Sequence, residues 1–263
     1  MALIHLHFYA NKIGRCGNID VIVPQKKSDD PTDNRNTPVL YLLHGAMGDE
    51  TMWQRMTSVE RYAEKYGIAV VMPGCEISAY TNMAHGQNYY DYVTQELPEL
   101  MYSFFGLSPA RENNFIAGAS MGANGAVKIG LANPDKYSAI GCFSGGITYR
   151  LPPEDTSNID PVTSRTAFMR YEGRQILGTE EDVLGNAKRI AESGQTAPRI
   201  YHTIGNEDFL LEHAHNSRDF FTSFEGDPFG YVYEEIDGKH DWDFWDGALE
   251  RFIEFIAKEF IKK

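Results

Sequence analysis

The stretch Asn114-Phe115-Ile116-Ala117-Gly118-Ala119-Ser120-Met121-Gly122-Ala123-Asn124-Gly125-Ala126-Val127-Lys128-Ile129-Gly130-Leu131-Ala132 decides how this chain is read. Its centre, Gly118-Ala119-Ser120-Met121-Gly122, fits Gly-x-Ser-x-Gly. In that pattern a serine sits on a sharp turn between a strand and a helix, and its hydroxyl projects from the top of a sheet. Glycines on either side let backbone and helix approach without a Cβ clash. The flanks have the required form. Residues 114–117 are a short apolar run suited to a buried strand. Residues 123–132 are small and helical in pattern, and Asn133-Pro134 supplies a stop. The five-residue pattern alone recurs by chance, so its weight comes from what surrounds it.

Outward from this elbow, apolar runs alternate with amphipathic ones. Pro38-Val39-Leu40-Tyr41-Leu42-Leu43 ends at His44-Gly45 and suits a central strand covered on both faces. Residues 68–72, 139–144, 199–204 and 231–236 read as further strands. Helices are expected over 58–66, 92–105 and 248–261. The first 23 residues read as two strands joined around 11–17, antiparallel additions at one edge, followed by a polar loop over 24–37. The alternation predicts an α/β fold: a mostly parallel sheet flanked by helices on both faces. One domain is expected over residues 1–263. Residues 147–198 break the pattern and read as an excursion above the sheet, a small partial cap between the sixth and seventh core strands.

The 263 residues are 42% hydrophobic, enough for a full globular core. A formal net charge of −13 argues against nucleic acid or anionic membrane as partner, and mildly against highly anionic substrates. No apolar run is long enough to span a bilayer, and no leader pattern opens the chain. Cys16, Cys75 and Cys142 are odd in number and widely spaced. They suggest neither a disulfide framework nor a metal site, and point to a reducing, cytoplasmic setting. No metal and no organic cofactor is expected.

A serine hydroxyl needs a base, and the base needs a partner that fixes its tautomer. In an elbow architecture the order along the chain is nucleophile, acid, histidine, each after a strand. Of the histidines after Ser120, His202 falls within a strand, and His213 and His215 fall on a helix. His240 follows the last strand, in Asp237-Gly238-Lys239-His240, and is assigned as base. Asp208, in Gly205-Asn206-Glu207-Asp208, is assigned as acid. Glu207 is its nearest competitor, and capping the next helix is its competing role. The expected oxyanion donors are the Met121 N–H and the Ala46 N–H, in the loop His44-Gly45-Ala46-Met47-Gly48. His44 is expected to order that loop. Trp53, Tyr80, Tyr89, Tyr90, Trp242 and Trp245 fall in loops near the expected sheet top. Trp242, Gly45 and Trp53 are taken as substrate contacts, Trp242 first because it belongs to the histidine loop.

With Leu42-Leu43-His44-Gly45, Gly118-Ala119-Ser120-Met121-Gly122, Gly205-Asn206-Glu207-Asp208-Phe209 and Lys239-His240-Asp241-Trp242, the chain resembles the esterase D-type α/β-hydrolases over residues 40–255. The branch most similar is that of the bacterial tributyrin esterases. Relatives include S-formylglutathione hydrolases and feruloyl esterases. The resemblance implies a Ser120, Asp208, His240 triad, with the backbones of Ala46 and Met121 as oxyanion hole. It also implies a small-molecule ester substrate and allows a homo-oligomer. This chain departs from the family at Ala123, where a glycine is usual, and at Ala46, where a bulkier residue is usual. The expected activity is serine carboxylesterase on short acyl or aryl esters, through an acyl-serine. The alternative is a feruloyl or acetyl-xylan esterase on plant cell-wall polysaccharide esters. An S-formylglutathione hydrolase fits less well, because the loop after His44-Gly45 lacks that branch's cysteine pattern. An acyltransferase is also open. A non-catalytic binding module would need a missing triad member.

Overall fold

The computed structural model describes residues 1–25, 34–146 and 161–261. Strands β1 (Ala2–Ala10) and β2 (Arg15–Val23) form an antiparallel hairpin. They are followed by β3 (Val39–Leu43), β4 (Ala69–Pro73), β5 (Asn114–Ala119), β6 (Ala139–Phe143), β7 (Arg199–Gly205) and β8 (Val232–Ile236). All eight lie in one sheet, in the order β1-β2-β4-β3-β5-β6-β7-β8. From β4 to β8 every neighbour is parallel, and the hairpin joins antiparallel to β4 at one edge. The expected mostly parallel sheet with an antiparallel edge is thus found.

The helices are α1 (Met52–Met56), α2 (Val59–Tyr66), α3 (Tyr89–Asp91), α4 (Leu97–Phe105), α5 (Met121–Ala132), α6 (Pro161–Tyr171), α7 (Val183–Ser193), α8 (Leu211–Thr222) and α9 (Trp242–Glu259). They cover both faces, because alternate strand residues point to opposite sides. Leu40 and Leu42 pack with Phe115, Phe143, Phe252 and Ile256 on the α9 side. Tyr41 and Leu43 pack with Ile116, Met101, Ala126 and Ile190 on the other. Of the segment expected above the sheet, residues 147–160 lie outside the described residues. From Val183 on, that segment is a layer helix: Val183, Ala187 and Ile190 of α7 join the core on the α5 side.

Two helix boundaries differ from expectation. The helix expected over 92–105 begins earlier, at Tyr89, and passes through a π turn at Tyr92–Glu96 before α4. Pro98, one turn later, has no N–H, and its ring crowds the carbonyl four residues back. That carbonyl, on Thr94, accepts instead from Lys136 Nζ at 2.9 Å. The closing helix begins at Trp242, not 248. Asp241 caps it, its carboxylate accepting from the Phe244 N–H at 3.1 Å. Trp242 and Trp245 are therefore helical, not loop, residues.

Candidate active site

The loops that follow β3, β5, β7 and β8 open at one edge of the sheet, at the carboxyl ends of parallel strands. That edge is where open α/β sheets hold their ligands. Ser120 leaves β5 with φ 57° and ψ −116°, a conformation that a residue with a side chain adopts at a cost of about 1–3 kcal/mol. The strain is held by the Ser120 N–H donating to the Phe143 carbonyl at 3.0 Å, and by the Ser120 carbonyl accepting from the Asn124 N–H at 3.2 Å. Close packing demands the second elbow glycine. A Cβ on Gly122 would lie 2.3 Å from the Leu43 carbonyl oxygen, so only glycine lets α5 seat against β3.

The loops after β7 and β8 are clamped backbone to backbone. The Asn206 N–H donates to the Ile236 carbonyl at 2.8 Å, and the Glu207 N–H to the Gly238 carbonyl at 3.0 Å. Gly205 makes that approach possible, since a Cβ there would meet the Gly238 oxygen at 2.3 Å. The clamp brings the three residues singled out by chain order into contact. His240 Nδ1–H donates to both Asp208 carboxylate oxygens, at 3.0 and 2.9 Å. The Ser120 hydroxyl donates to His240 Nε2 at 2.9 Å. The direction is fixed by chemistry: an ionised carboxylate only accepts, so the ring proton sits on Nδ1 and Nε2 keeps its lone pair. Burial alone would raise the Asp208 pKa, but hydrogen bonds from His240 and the Leu210 N–H outweigh it and hold the group below its ordinary value. The buried Ser144 hydroxyl faces the same carboxylate without meeting hydrogen-bond geometry and adds to the lowering. The bond to Leu210 also shows that Asp208 serves the start of α8 while it serves the histidine.

Beside the serine, the loop after β3 is held from three sides. The Cys75 N–H donates to His44 Nε2 at 3.0 Å, so His44 carries its proton on Nδ1 and gives it to the Gly45 carbonyl at 2.7 Å. The same carbonyl accepts from the Gly48 N–H at 3.0 Å. In a trans peptide the N–H points opposite the C=O. With the Gly45 carbonyl engaged on one side, the Ala46 N–H is turned to the other. A Cβ on Gly45 would touch Ser120 Cβ at 3.7 Å, so this loop lies directly against the nucleophile position. The Met121 N–H belongs to the first turn of α5, where amides lack an intrahelical partner.

The aromatic expectations need correction. Trp53 lies on α1 and is fully buried. Its indole N–H donates to the Leu43 carbonyl at 3.0 Å, because a buried indole needs an acceptor. It is a buried core residue, packed edge-on against Trp242 at 5.1 Å. Tyr80, Tyr89 and Tyr90 are also buried, and the Tyr80 hydroxyl donates to the His44 carbonyl at 2.7 Å. Trp242 is half-buried, at the start of α9. Two aromatic rings stand against His240: Phe209, for which no role is expected from the sequence, and Trp245, one of the six aromatics expected near the sheet top. The Phe209 ring lies 4.4 Å from that of His240, and the Trp245 ring 5.1 Å from it at 84°. Phe209 is legible only as the residue after the acid. A groove of about 310 Å³ adjoins the histidine loop, lined in part by Glu207, Asp237, Asp241 and Asp243 and by Lys239, which pairs with Glu207.

The other histidines are engaged elsewhere. His215 pairs with Glu235 at 2.7 Å. His202 is buried in β7. It donates from Nε2 to the Gly145 carbonyl at 3.1 Å, and accepts at Nδ1 from the Tyr231 hydroxyl at 2.7 Å. Burial lowers its pKa from 6.5 to about 4. A histidine depressed on folding gives stability that is present above its unfolded value and lost as pH falls through the folded one. From pH 6.5 down to 4, His202 is therefore expected to remove up to about 3 kcal/mol from the unfolding free energy. Urea unfolding at pH 7 and pH 4.5 checks this. His202→Gln should be less stable at pH 7, yet lose less on acidification; an unchanged acid slope would sink the assignment.

Against known proteins, the family model described as "Putative esterase" matches residues 10–255. An acetyl esterase of Caldicellulosiruptor saccharolyticus is 30% identical over 268 residues, covering 98% of this chain and 99% of that one. The fluorophosphonate-binding serine hydrolase F (FphF) of Staphylococcus aureus is 32% identical, with 97% and 98% of the two chains covered and a TM-score of 0.84. The S-formylglutathione hydrolase FrmB of Staphylococcus aureus is 31% identical over the same shares, with a TM-score of 0.82. A strand-turn-helix serine at the carboxyl edge of a mostly parallel sheet and a family match over nearly the whole chain lead to one assignment. This chain belongs to the esterase family and is a serine ester hydrolase of the α/β-hydrolase fold.

Proposed function

We propose that the protein is a carboxylesterase of short-chain acyl esters, with Ser120 as nucleophile, His240 as general base and acid, and Asp208 as the group that orients and charge-balances the histidine. The observation that carries this reading is the continuous Ser120-His240-Asp208 hydrogen-bond chain, with no link longer than 3.0 Å. His240 Nε2 takes the hydroxyl proton as Ser120 Oγ bonds to the acyl carbon. The carbonyl oxygen, now charged, is met by the N–H groups of Ala46 and Met121. The C–O bond to the alcohol then breaks, and the departing oxygen receives the proton from His240. Water repeats the sequence on the acyl-serine. Gly45, against Ser120, and half-buried Trp242, at the start of α9, are the proposed substrate contacts.

The short-acyl reading is supported by the similarity to an acetyl esterase along nearly the whole chain. A second reading, hydrolysis of S-formylglutathione, is favoured by the similarity to FrmB. The formal net charge of −13 mildly opposes it, because glutathione esters carry negative charge. Three unpaired cysteines, two of them buried, support a reducing cytoplasmic setting. No helix among the described residues is long and apolar enough to cross a membrane. Two measurements test the proposal. A fluorophosphonate probe should label the folded protein on Ser120 and nowhere else. Across p-nitrophenyl esters of graded length, methyl ferulate and S-formylglutathione, kcat/KM should peak at acetyl to butyryl. No labelling would overturn the triad, and a maximum on S-formylglutathione would replace the short-acyl reading by the second.

A further inference from the structure

Phe209 is one of the most exposed large apolar residues described: 75% of it is open to solvent. A phenyl ring left in water forgoes burial of most of its surface, and one beside a catalytic histidine offers that surface to a ligand. Its place is specific. The residue follows Asp208 directly, and its ring centroid lies 4.4 Å from that of His240, at an interplanar angle of 47°. The other aromatic neighbour of His240, Trp245, is 8% exposed and belongs to the core. Of the two aromatic rings against the imidazole among the described residues, only Phe209 is available to a ligand.

Which part of a substrate would meet it follows from the chemistry. The oxygen of the departing alcohol must come within hydrogen-bond reach of His240 Nε2 to receive its proton. The carbons bonded to that oxygen therefore lie beside the imidazole, where Phe209 is the exposed apolar surface at hand. The acyl carbon, by contrast, is fixed between Ser120 Oγ and the oxyanion donors. We propose that Phe209 is the specificity-determining contact for the alcohol half of the ester, favouring alcohols with an aromatic or broad apolar group one carbon from the ester oxygen. The inference rests on the carboxylesterase reading above and adds the leaving-group class to it. Water enters deacylation without such a group, so Phe209 discriminates in acylation.

The test holds the acyl group constant and varies the alcohol. Benzyl acetate and ethyl acetate release alcohols of similar intrinsic leaving ability, and acetate release by pH-stat measures both. Wild type should prefer benzyl acetate in kcat/KM. Phe209→Ala should lower the benzyl-to-ethyl ratio by about tenfold, with Phe209→Leu intermediate. A residue that only props His240 would slow both esters by one factor, because both reactions use the same imidazole. An unchanged ratio in Phe209→Ala, with labelling and wild-type turnover intact, overturns this inference alone. Wild type that turns over neither ester and takes no fluorophosphonate label overturns the carboxylesterase reading, and this inference with it.

Discussion

Ser120→Ala is expected to lower kcat on p-nitrophenyl butyrate by about 10⁶, and Asp208→Asn by about 10⁴. The two differ for a structural reason. Removing the Ser120 hydroxyl removes the atom that would carry the acyl group, and only the oxyanion donors and the pocket remain. The Asn amide keeps the shape of Asp208 but can turn a donor toward His240 Nδ1, which now carries a proton donated to the carboxylate at 2.9 Å. The ring then moves its proton to Nε2 and faces the serine with a donor where an acceptor is needed. Neither change should disturb folding greatly. Alanine adopts the φ of 57° at position 120 no less easily than serine does. Steady-state kinetics beside thermal melts decide the matter. A Ser120→Ala protein within tenfold of wild type, purified free of host esterase, would remove Ser120 from the mechanism.

What was legible in advance follows the kind of physics involved. The elbow was legible because a sharp strand-to-helix turn seated against β3 admits only glycine at 118 and 122, and that demand fixes residue types at a set spacing. Asp208 and His240 were legible because the topology brings each loop after a parallel strand to the same edge, so chain order stands in for proximity. The start of α9 was not. Trp242, Phe244 and Trp245 make a dense aromatic run without helical periodicity, and the cap at Asp241 is one hydrogen bond. The π turn was hidden too, since it depends on how Lys136 meets the Thr94 carbonyl freed by Pro98. Trp53 was misplaced because its burial is set by an acceptor on β3 and by Trp242 on α9, partners distant in sequence. Contacts of that kind leave no pattern in the chain near the residue they fix.

The ion pair of Lys128 and Glu181 belongs to the same illegible class and carries the largest expected effect on stability. Lys128 projects from α5 and is 5% exposed; Glu181, 53 residues later, is 1% exposed. The ammonium donates to both Glu181 oxygens at 3.0 and 3.1 Å, to the Ala79 carbonyl at 2.9 Å and to the Thr81 hydroxyl at 2.8 Å. Burial outweighs the attraction of Glu181, so the lysine pKa lies below its ordinary value. Relative to apolar packing, the pair is therefore not a net source of stability, but each charge depends on the other. Lys128→Ala, which strands a buried carboxylate, is expected to cost about 3–5 kcal/mol, or about 10 °C of melting temperature. Lys128→Met with Glu181→Leu should recover most of that loss, since no charge remains to be desolvated. Activity should not recover with it. The ammonium anchors Ala79, which with Tyr80 holds positive φ of 52° and 56°, and the Tyr80 hydroxyl in turn supports the His44 carbonyl at the base of the oxyanion loop. Without that anchor the loop gains freedom, and kcat of the double variant is expected to fall about tenfold while its melt approaches wild type. A Lys128→Ala protein as stable as wild type would show that Glu181 finds another partner. Full kcat in the double variant would show that Tyr80 holds the loop without the lysine.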